Sequence, residues 1–219
     1  GWAQAARLVG DGRVDLLVGL EPVVVARWHG LRARFGLTEG ETFALATIHR
    51  AANTDDPNHL GEIVEALSNL PLPVVLPVPP RLRKMLGQFG LTLGDMVVAI
   101  EPLGYLDMLT ALNACRLVIT DSGGLQKEAY MLRRPAVTVR TTTEWIETVE
   151  AGWNRLSGVN AAAVRRGVDE ALMPPPASHP DFYGSQGVCD RIIDALEAQR
   201  PVSASANEPL RAVEANYKS

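Results

Sequence analysis

Short apolar segments alternate along this chain with longer segments of helix-forming residues. The apolar segments are rich in valine, isoleucine and leucine and span residues 42–48, 74–78, 97–100, 117–120 and 136–139, with a further short strand or turn near 152–155. Predicted helices occupy residues 21–35, 59–67, 82–89, 106–114, 125–133, 144–150, 161–173 and 187–199. Strands separated by helices form parallel sheets with helices on both faces. The alternation therefore predicts an α/β fold with a parallel sheet of about six strands.

The junction between the fourth strand and its helix contains two consecutive glycines, Gly123 and Gly124, after Asp121 and Ser122. Glycines allow a ligand to approach the backbone closely, and the first N–H groups of a helix have no intrahelical partner. Ser122 can cap the helix or donate to a phosphate oxygen. Glu128, about one turn further, could reach a sugar hydroxyl. The pattern predicts an anion site; a strand-to-helix turn that binds nothing is the alternative.

Polar residues follow several of the other predicted strands as well. They are His49 and Arg50, Arg81, Tyr105, Asp121 and Ser122, and Arg140 and Glu144. The carboxyl ends of parallel strands meet at one edge of a sheet, and ligands of open α/β sheets bind outside that edge. We therefore expect a binding crevice there.

Composition limits the classes of partner. The chain has 219 residues, 47% of them hydrophobic and 21% charged, which is typical of a globular domain with a full core. A net charge of -4 without a basic cluster argues against nucleic acid. No apolar run approaches a membrane span and no signal peptide is evident, so we expect no membrane partner. The two cysteines, Cys115 and Cys189, form neither a disulfide framework nor a zinc site. We expect a reduced cytoplasm, no metal and no cofactor.

Four sequence segments together form a pattern that is typical of one protein family. They are TIHRAANT at residues 47–54, EPLGYLD at 101–107, TDSGGLQKEA at 120–129 and RTTTEWIETVEAGWN at 140–154. In order and spacing they resemble the non-hydrolysing UDP-N-acetylglucosamine 2-epimerase family, and Tyr183-Gly184 before the last helix fits too. The Thr-Glu-Trp form at residues 143–145 resembles the branch that acts on modified UDP-2-acetamido sugars such as uronates.

The resemblance implies a Rossmann-like doubly wound sheet that is one half of a two-domain GT-B architecture. Residues 1–20 are expected to be a hinge remnant, residues 21–199 the UDP-binding domain, and residues 200–219 a mobile tail. The first domain, with the acidic residues for proton transfer, is expected to be absent. The expected partners are UDP or a UDP-sugar, the absent N-terminal domain and a second copy in a homodimer, which stays open.

The resemblance also implies a reaction, the inversion of C2 of the sugar by elimination and re-addition of UDP to give the manno epimer. His49 is the implied catalytic residue near the diphosphate and the sugar. Glu128 would bind the ribose and Tyr105 would lie near the uracil. Arg140 and Glu144 are expected either to bind substrate or to pair with each other. The remaining implied substrate-binding residues are Arg50, Asn53, Arg81, Ser122, Gly123 and Gly124.

Three positions depart from the family pattern. Ala52 replaces a glutamate, Pro79 replaces a histidine and Leu82 replaces a threonine. Losing a carboxylate and an imidazole from the crevice puts the usual substrate, or activity itself, in doubt. Two other classes therefore stay open: the nucleotide-binding half of a GT-B glycosyltransferase, and a non-catalytic nucleotide-binding homologue.

Overall fold

A single parallel sheet forms the centre of the protein. The computed structural model describes residues 21–183 together with residues 193 and 196. The strands are β1 Ala44–Thr47, β2 Val74–Pro77, β3 Val97–Ile100, β4 Leu117–Thr120, β5 Ala136–Thr138 and β6 Asn154–Leu156. Their order in the six-stranded sheet is β3-β2-β1-β4-β5-β6, and each neighbouring pair is parallel. The predicted α/β class and the strand number are confirmed.

Helices connect the strands, and most begin or end within a few residues of their predicted bounds. They are α1 Glu21–Arg34, α2 Ala51–Thr54, α3 Pro57–Ser68, α4 Pro80–Gln88, α5 Tyr105–Ala114, α6 Gly123–Met131, α7 Ile146–Glu150 and α8 Ala161–Leu172. The single turn α2 was not predicted, because four residues carry too little periodicity to be recognised. It follows His49 and Arg50 directly, so it fixes where the polar segment after β1 turns.

Side-chain caps explain where two of the longer helices begin. The Asp56 carboxylate accepts hydrogen bonds from the N–H groups of Asn58 and His59, and Pro57 occupies the first turn of α3. The Asn160 side chain accepts from the N–H of Ala163 at the start of α8. These caps satisfy N–H groups that a helix leaves unpaired, and proline is well tolerated in the first turn.

Two apolar layers bury the two faces of the sheet. On one face Ala44, Leu76 and Ile119 belong to a cluster that includes buried residues of α3, α4 and α8. On the other face Leu45 and Val118 join buried residues of α1, α5 and α6. Successive residues of a strand point to opposite faces, so strands buried on both sides must be apolar throughout. This double burial explains why the strands are continuous apolar segments in the sequence.

The strand order changes direction between β1 and β4. From β1 the chain proceeds outward to β2 and β3, and from β4 it proceeds the other way to β5 and β6. The two central strands are paired in register from Ala44 opposite Leu117 to Thr47 opposite Thr120. The hydroxyls of Thr47 and Thr120 lie 2.6 Å apart at the carboxyl end of this pair. A crevice at such a reversal is the usual ligand site of an open α/β sheet.

Several predictions concern residues outside those the structure describes. The hinge at residues 1–20, the tail at residues 200–219 and Cys189 belong to this group, and only Ile193 and Leu196 of the predicted last helix are described, both helical. Among the described residues, no helix has the length and apolar character required to cross a membrane.

Candidate functional site

The start of α6 lies at the strand-order reversal, directly after β4. The Ser122 hydroxyl caps the helix by accepting from the N–H of Leu125 at 3.4 Å. The first N–H bonded to a backbone carbonyl of this turn is that of Gln126, which donates to the Ser122 carbonyl at 3.2 Å. The N–H groups of Gly123 and Gly124 therefore have no partner within the helix. They form the positive end of the helix dipole, which is the feature on which the predicted anion site depends.

The buried carboxylate of Asp121 organises the segment that follows β1. Asp121 is fully buried. Its oxygens accept from the backbone N–H of His49 at 3.1 Å, the N–H of Arg50 at 2.9 Å and the Nδ2 group of Asn53 at 3.0 Å. The Nδ1 atom of His49 lies 3.0 Å from the same carboxylate. Asp121 thus fixes both the backbone and the imidazole of the neighbouring segment.

This arrangement determines the ionisation of both partners. The hydrogen bond from the His49 ring to Asp121 raises the pKa of His49, although partial burial opposes the shift. Burial alone would raise the pKa of Asp121, but the hydrogen bonds from His49 and Arg50 outweigh it, and the pKa is lowered. An ionised Asp121 can only accept hydrogen bonds, so the proton of the imidazole must sit on Nδ1. The Nε2 atom is left to face a ligand, and the His49 side chain is 53% exposed.

Glu144 lies beside the start of α6 and is contacted by two arginines. The Arg140 guanidinium holds the Glu144 carboxylate through two hydrogen bonds of 2.9 and 2.7 Å. An Nη2 atom of Arg50 lies 3.7 Å from the same carboxylate. The predicted alternative that Arg140 and Glu144 pair with each other is therefore what the structure has. Hydrogen bonds from Arg140 lower the pKa of Glu144 to about 2.

A buried polar network holds the segment after β5 against α6. The Gln126 Oε1 atom accepts from the Thr143 hydroxyl at 2.6 Å and from the Asn154 Nδ2 group at 3.1 Å. The Trp145 indole N–H donates to the Gly123 carbonyl at 2.7 Å. Gln126 and Asn154 are almost fully buried, so the hydrogen bond between them forms in a setting of low polarity. The network fixes the position of Glu144, which lies between Thr143 and Trp145.

The residues expected at the ribose and the uracil lie close to one another. Tyr105 begins α5 and is 60% exposed, whereas Glu128 lies on α6. Burial and the nearby Glu128 carboxylate raise the pKa of Tyr105. Burial raises the pKa of Glu128, and hydrogen bonding to Tyr105 opposes the shift. An exposed aromatic ring beside a carboxylate suits a base and its ribose.

Arg81 does not join the cluster around α6. Its Nε atom donates to Asp55 at 3.1 Å, and its Nη2 atom also contacts that carboxylate. Asp55 ends the one-turn helix α2, so this ion pair links α2 to the start of α4. The guanidinium lies at the predicted edge of the sheet but is paired within the protein.

Asn53 was predicted to bind substrate but lies beneath the surface, with 5% of its area exposed. Its Nδ2 group donates to Asp121 and, at 3.2 Å, to the Val139 carbonyl. Both amide hydrogens are therefore used within the protein. Asn53 helps to position Asp121, for which the sequence predicted a place at the crevice but no role. An acid directly after a buried parallel strand and before Ser-Gly-Gly was the available signal.

The three departures from the family pattern occupy different environments. Leu82 is 1% exposed and belongs to the core, where a leucine contributes apolar packing. Ala52 is exposed on α2, and Pro79 precedes α4 as its N-terminal cap residue. The helices α2 and α4 contact each other. Of the three changes, those at residues 52 and 79 lie outside the core.

The sequence of this chain matches the family model of UDP-N-acetylglucosamine 2-epimerases over residues 5–197. The chain belongs to this family. The matched range includes all six strands and all eight helices given above.

Individual relatives agree with this assignment. A UDP-2,3-diacetamido-2,3-dideoxy-D-glucuronate 2-epimerase of Pseudomonas aeruginosa is 42% identical over 164 residues, which cover 74% of this chain and 46% of the relative. A UDP-N-acetylglucosamine 2-epimerase homolog of Methanococcus maripaludis is 33% identical over 192 residues, 86% of this chain and 53% of that protein. The chain thus spans about half the length of these curated relatives.

One solved structure shows the same proportion, and a second, of which this chain covers 36%, shares only the fold. The UDP-GlcNAc 2-epimerase of Methanocaldococcus jannaschii, in complex with UDP-GlcNAc and UDP, superimposes with a TM-score of 0.66 at 31% identity, covering 80% of this chain and 53% of that one. The glycosyltransferase VinC, in complex with DTDP, shares the fold at a TM-score of 0.51 and 16% identity. The fold therefore corresponds to one half of the two-domain epimerases.

Proposed function

We propose that this chain is the UDP-binding half of an epimerase that inverts C2 of a UDP-2-acetamido sugar. The observation that carries the proposal is the start of α6, where Glu144 lies beside Gly123 and is contacted by Arg50 and Arg140, and where the His49 imidazole contacts Asp121, two residues before Gly123. Oriented N–H groups and cations stabilise a diphosphate most when it departs as a leaving group. The proposed sequence is elimination of UDP to a 2-acetamidoglucal, followed by return of UDP to C1 and delivery of a proton to the opposite face of C2.

His49 is the residue we assign to proton transfer at the leaving group. When the C1–O bond breaks, its Nε2–H donates to the diphosphate oxygen, and the same proton returns when UDP is added back. A raised pKa favours the protonated imidazole near neutral pH, which is the form that can donate. The electron pair of the broken C2–H bond forms the double bond of the glycal, and its proton passes to a base outside the described residues.

The other roles follow the positions of the side chains. Ser122, Gly123 and Gly124 bind the diphosphate, with Arg50 and Arg140 beside it. Glu128 binds the ribose hydroxyls and Tyr105 stacks near the uracil. We assign to Asn53 the positioning of Asp121. Arg81 belongs to the binding surface only if a ligand displaces the Asp55 carboxylate from its guanidinium.

The sugar is a UDP-2-acetamido sugar, and a uronate is favoured by the Thr143-Glu144-Trp145 form and by the name of the 42% identical relative. A glycosyltransferase half is a weaker candidate, because the glycosyltransferase VinC, at 16% identity, is similar to this chain only in its fold. The test uses an enzyme that contains both halves, with candidate UDP-sugars as substrates and NMR to identify the products. An epimer, a glycoside or no product distinguishes the three candidate functions.

Titration calorimetry with the present chain tests the nucleotide site. Glu128→Ala should weaken UDP about tenfold and leave inorganic diphosphate unchanged, because only UDP has ribose hydroxyls to lose. Gly123→Val should weaken both ligands, since a branched side chain blocks approach to the backbone. Glu150→Ala, an exposed acid on α7, is the matched control. Equal loss of diphosphate and UDP in Glu128→Ala would show that the ribose assignment is wrong.

A further inference from the structure

The Glu144 carboxylate lies against the start of α6, where the proposed function requires a diphosphate. Its Oε2 atom is 3.2 Å from the position that a Cβ atom on Gly123 would occupy. The same carboxylate is held by Arg140 at 2.7 Å and faces Arg50 at 3.7 Å. An anion of the protein itself is therefore bound by the cations and lies beside the glycine that we assign to the ligand.

The fold holds the segment around this carboxylate in place. Trp145 and Thr143, the neighbours of Glu144 in sequence, are bonded to Gly123 and Gln126 of α6. The Glu144 side chain itself is 52% exposed, and its contacts are with the guanidinium groups. The backbone is thus fixed while the side chain can rotate toward solvent. With a pKa of about 2, the carboxylate is ionised throughout the physiological range of pH.

We propose that Glu144 is an internal competitor of the diphosphate, and that a ligand must take Arg140 and Arg50 from it in order to bind. The inference rests on the proposed function and assigns to one residue the control of affinity at that site. A carboxylate and a diphosphate on the same two arginines repel each other, because like charges a few ångströms apart interact strongly near a protein surface. Glu144 keeps the arginines paired in the free protein. Its repulsion of the diphosphate weakens the bound state, which favours release of UDP.

The competing role for Glu144 is that of a direct ligand contact, in which its oxygens accept from hydroxyls of the nucleotide or sugar. The two roles predict opposite effects when the charge is removed. A competitor that loses its charge allows tighter binding of an anion, whereas a lost acceptor weakens a ligand that has hydroxyls. Inorganic diphosphate has no hydroxyl donors comparable to those of a sugar, so it reports on competition alone.

Titration calorimetry of the 219-residue chain with inorganic diphosphate and with UDP tests the proposal. Glu144→Gln keeps the size of the side chain, and we expect about tenfold tighter diphosphate binding, since one unit of repulsion is removed. Glu150→Gln makes the same change in net charge on exposed α7 and should leave the affinity within twofold, because exposed charges farther from the site are screened by salt. Glu144→Ala should act as Glu144→Gln does, which guards against a folding defect in either variant.

The outcomes separate this inference from the proposed function. Diphosphate affinity in Glu144→Gln that is equal to or weaker than in Glu150→Gln overturns the inference, while UDP binding by the wild-type chain leaves the nucleotide site standing. If neither diphosphate nor UDP binds to the wild type or to either Glu144 variant, the nucleotide site and the inference are both overturned. In the supporting case, diphosphate also shifts the amide resonances of Gly123 and Gly124, and it does so at lower concentration in Glu144→Gln.

Discussion

The His49 side chain gains its chemistry from a residue that lies 72 positions away in the sequence. Asp121 accepts from both the backbone and the ring of His49, so one buried carboxylate fixes the location, the tautomer and the pKa of the imidazole. A histidine on a free loop would have none of these properties. At the scale of single residues, the site therefore depends on pairing between β1 and β4.

The pH dependence of stability should reveal this pair. The pKa of His49 is raised in the folded state above its ordinary value of 6.5. Its interaction with Asp121 therefore contributes stability that is fully present below about pH 6.5 and is lost as the pH rises through the folded pKa. Asp121 remains ionised at pH 5.5 because its own pKa is lowered. We expect His49→Gln to destabilise the protein more at pH 5.5 than at pH 9.

Urea unfolding of the wild type and His49→Gln at the two pH values measures this difference. His29→Gln is the control, since His29 is exposed on α1. A loss of stability in His49→Gln that does not change between pH 5.5 and pH 9 would show that the charged pair with Asp121 does not form.

At the scale of elements, the close contact between α8 and β5 depends on a glycine within the helix. A Cβ atom on Gly167 would lie 3.0 Å from the Val137 Cγ1 atom, whereas one on Gly61 of α3 would meet only the Leu91 Cδ2 atom at 3.9 Å. Glycine in a helix interior is ordinarily a disadvantage relative to alanine. At residue 167 the close packing of α8 on the sheet outweighs this disadvantage. At residue 61, in α3, no such close contact offsets it.

The two glycines should therefore respond differently to the same substitution. We expect Gly61→Ala to stabilise the protein by about 0.5–1 kcal/mol through reduced entropy of the unfolded chain. Gly167→Ala should give no such gain, and Gly167→Leu should destabilise by about 1–3 kcal/mol because the core is overpacked. Thermal and urea unfolding measure both effects. An equal gain from alanine at residues 61 and 167 would mean that α8 can move away from β5 at little cost.

At the scale of the whole molecule, the described residues offer cations and N–H groups at the crevice but few free bases. Asp121 is buried with a lowered pKa, and Glu144 is paired with Arg140 at a pKa of about 2. Both are poor acceptors of a proton from carbon. Glu128 has a raised pKa, but we assign it to the ribose. The described half is therefore suited to holding UDP as it leaves and returns.

We accordingly expect this chain alone to bind UDP without catalysing epimerisation. The affinity should be weak, with a Kd of about 0.1–1 mM, because a site open to water on one side screens each charged contact. NMR of UDP-N-acetylglucosamine incubated with the chain in D2O should show neither the C2 epimer nor deuterium at C2. Deuterium at C2 would show that a base for this proton lies in the present chain.

Much of the site could be predicted because its chemistry is written in adjacent residues. The segment from Asp121 to Gly124 contains the residue after the strand, a helix cap and a glycine pair. The structure has all three at the predicted strand-to-helix junction. The ion pair between Arg81 and Asp55 was not predicted, because it depends on how α4 contacts α2. The buried network of Gln126, Thr143 and Asn154 was missed for the same reason, since polar residues are more often exposed than buried.

The amino-acid sequence was sufficient to predict the fold class and the strand-to-helix junction at which we propose a ligand site, because strand and helix periodicity and the glycine pair are local properties of the chain. Which charged groups contact each other depends on the tertiary structure. The register of β1 against β4 brings His49 to Asp121, and the segment after β5 carries Glu144 to Gly123. Electrostatic interactions act over a few ångströms whatever the separation in sequence, so their partners follow from packing and cannot be read from neighbouring residues.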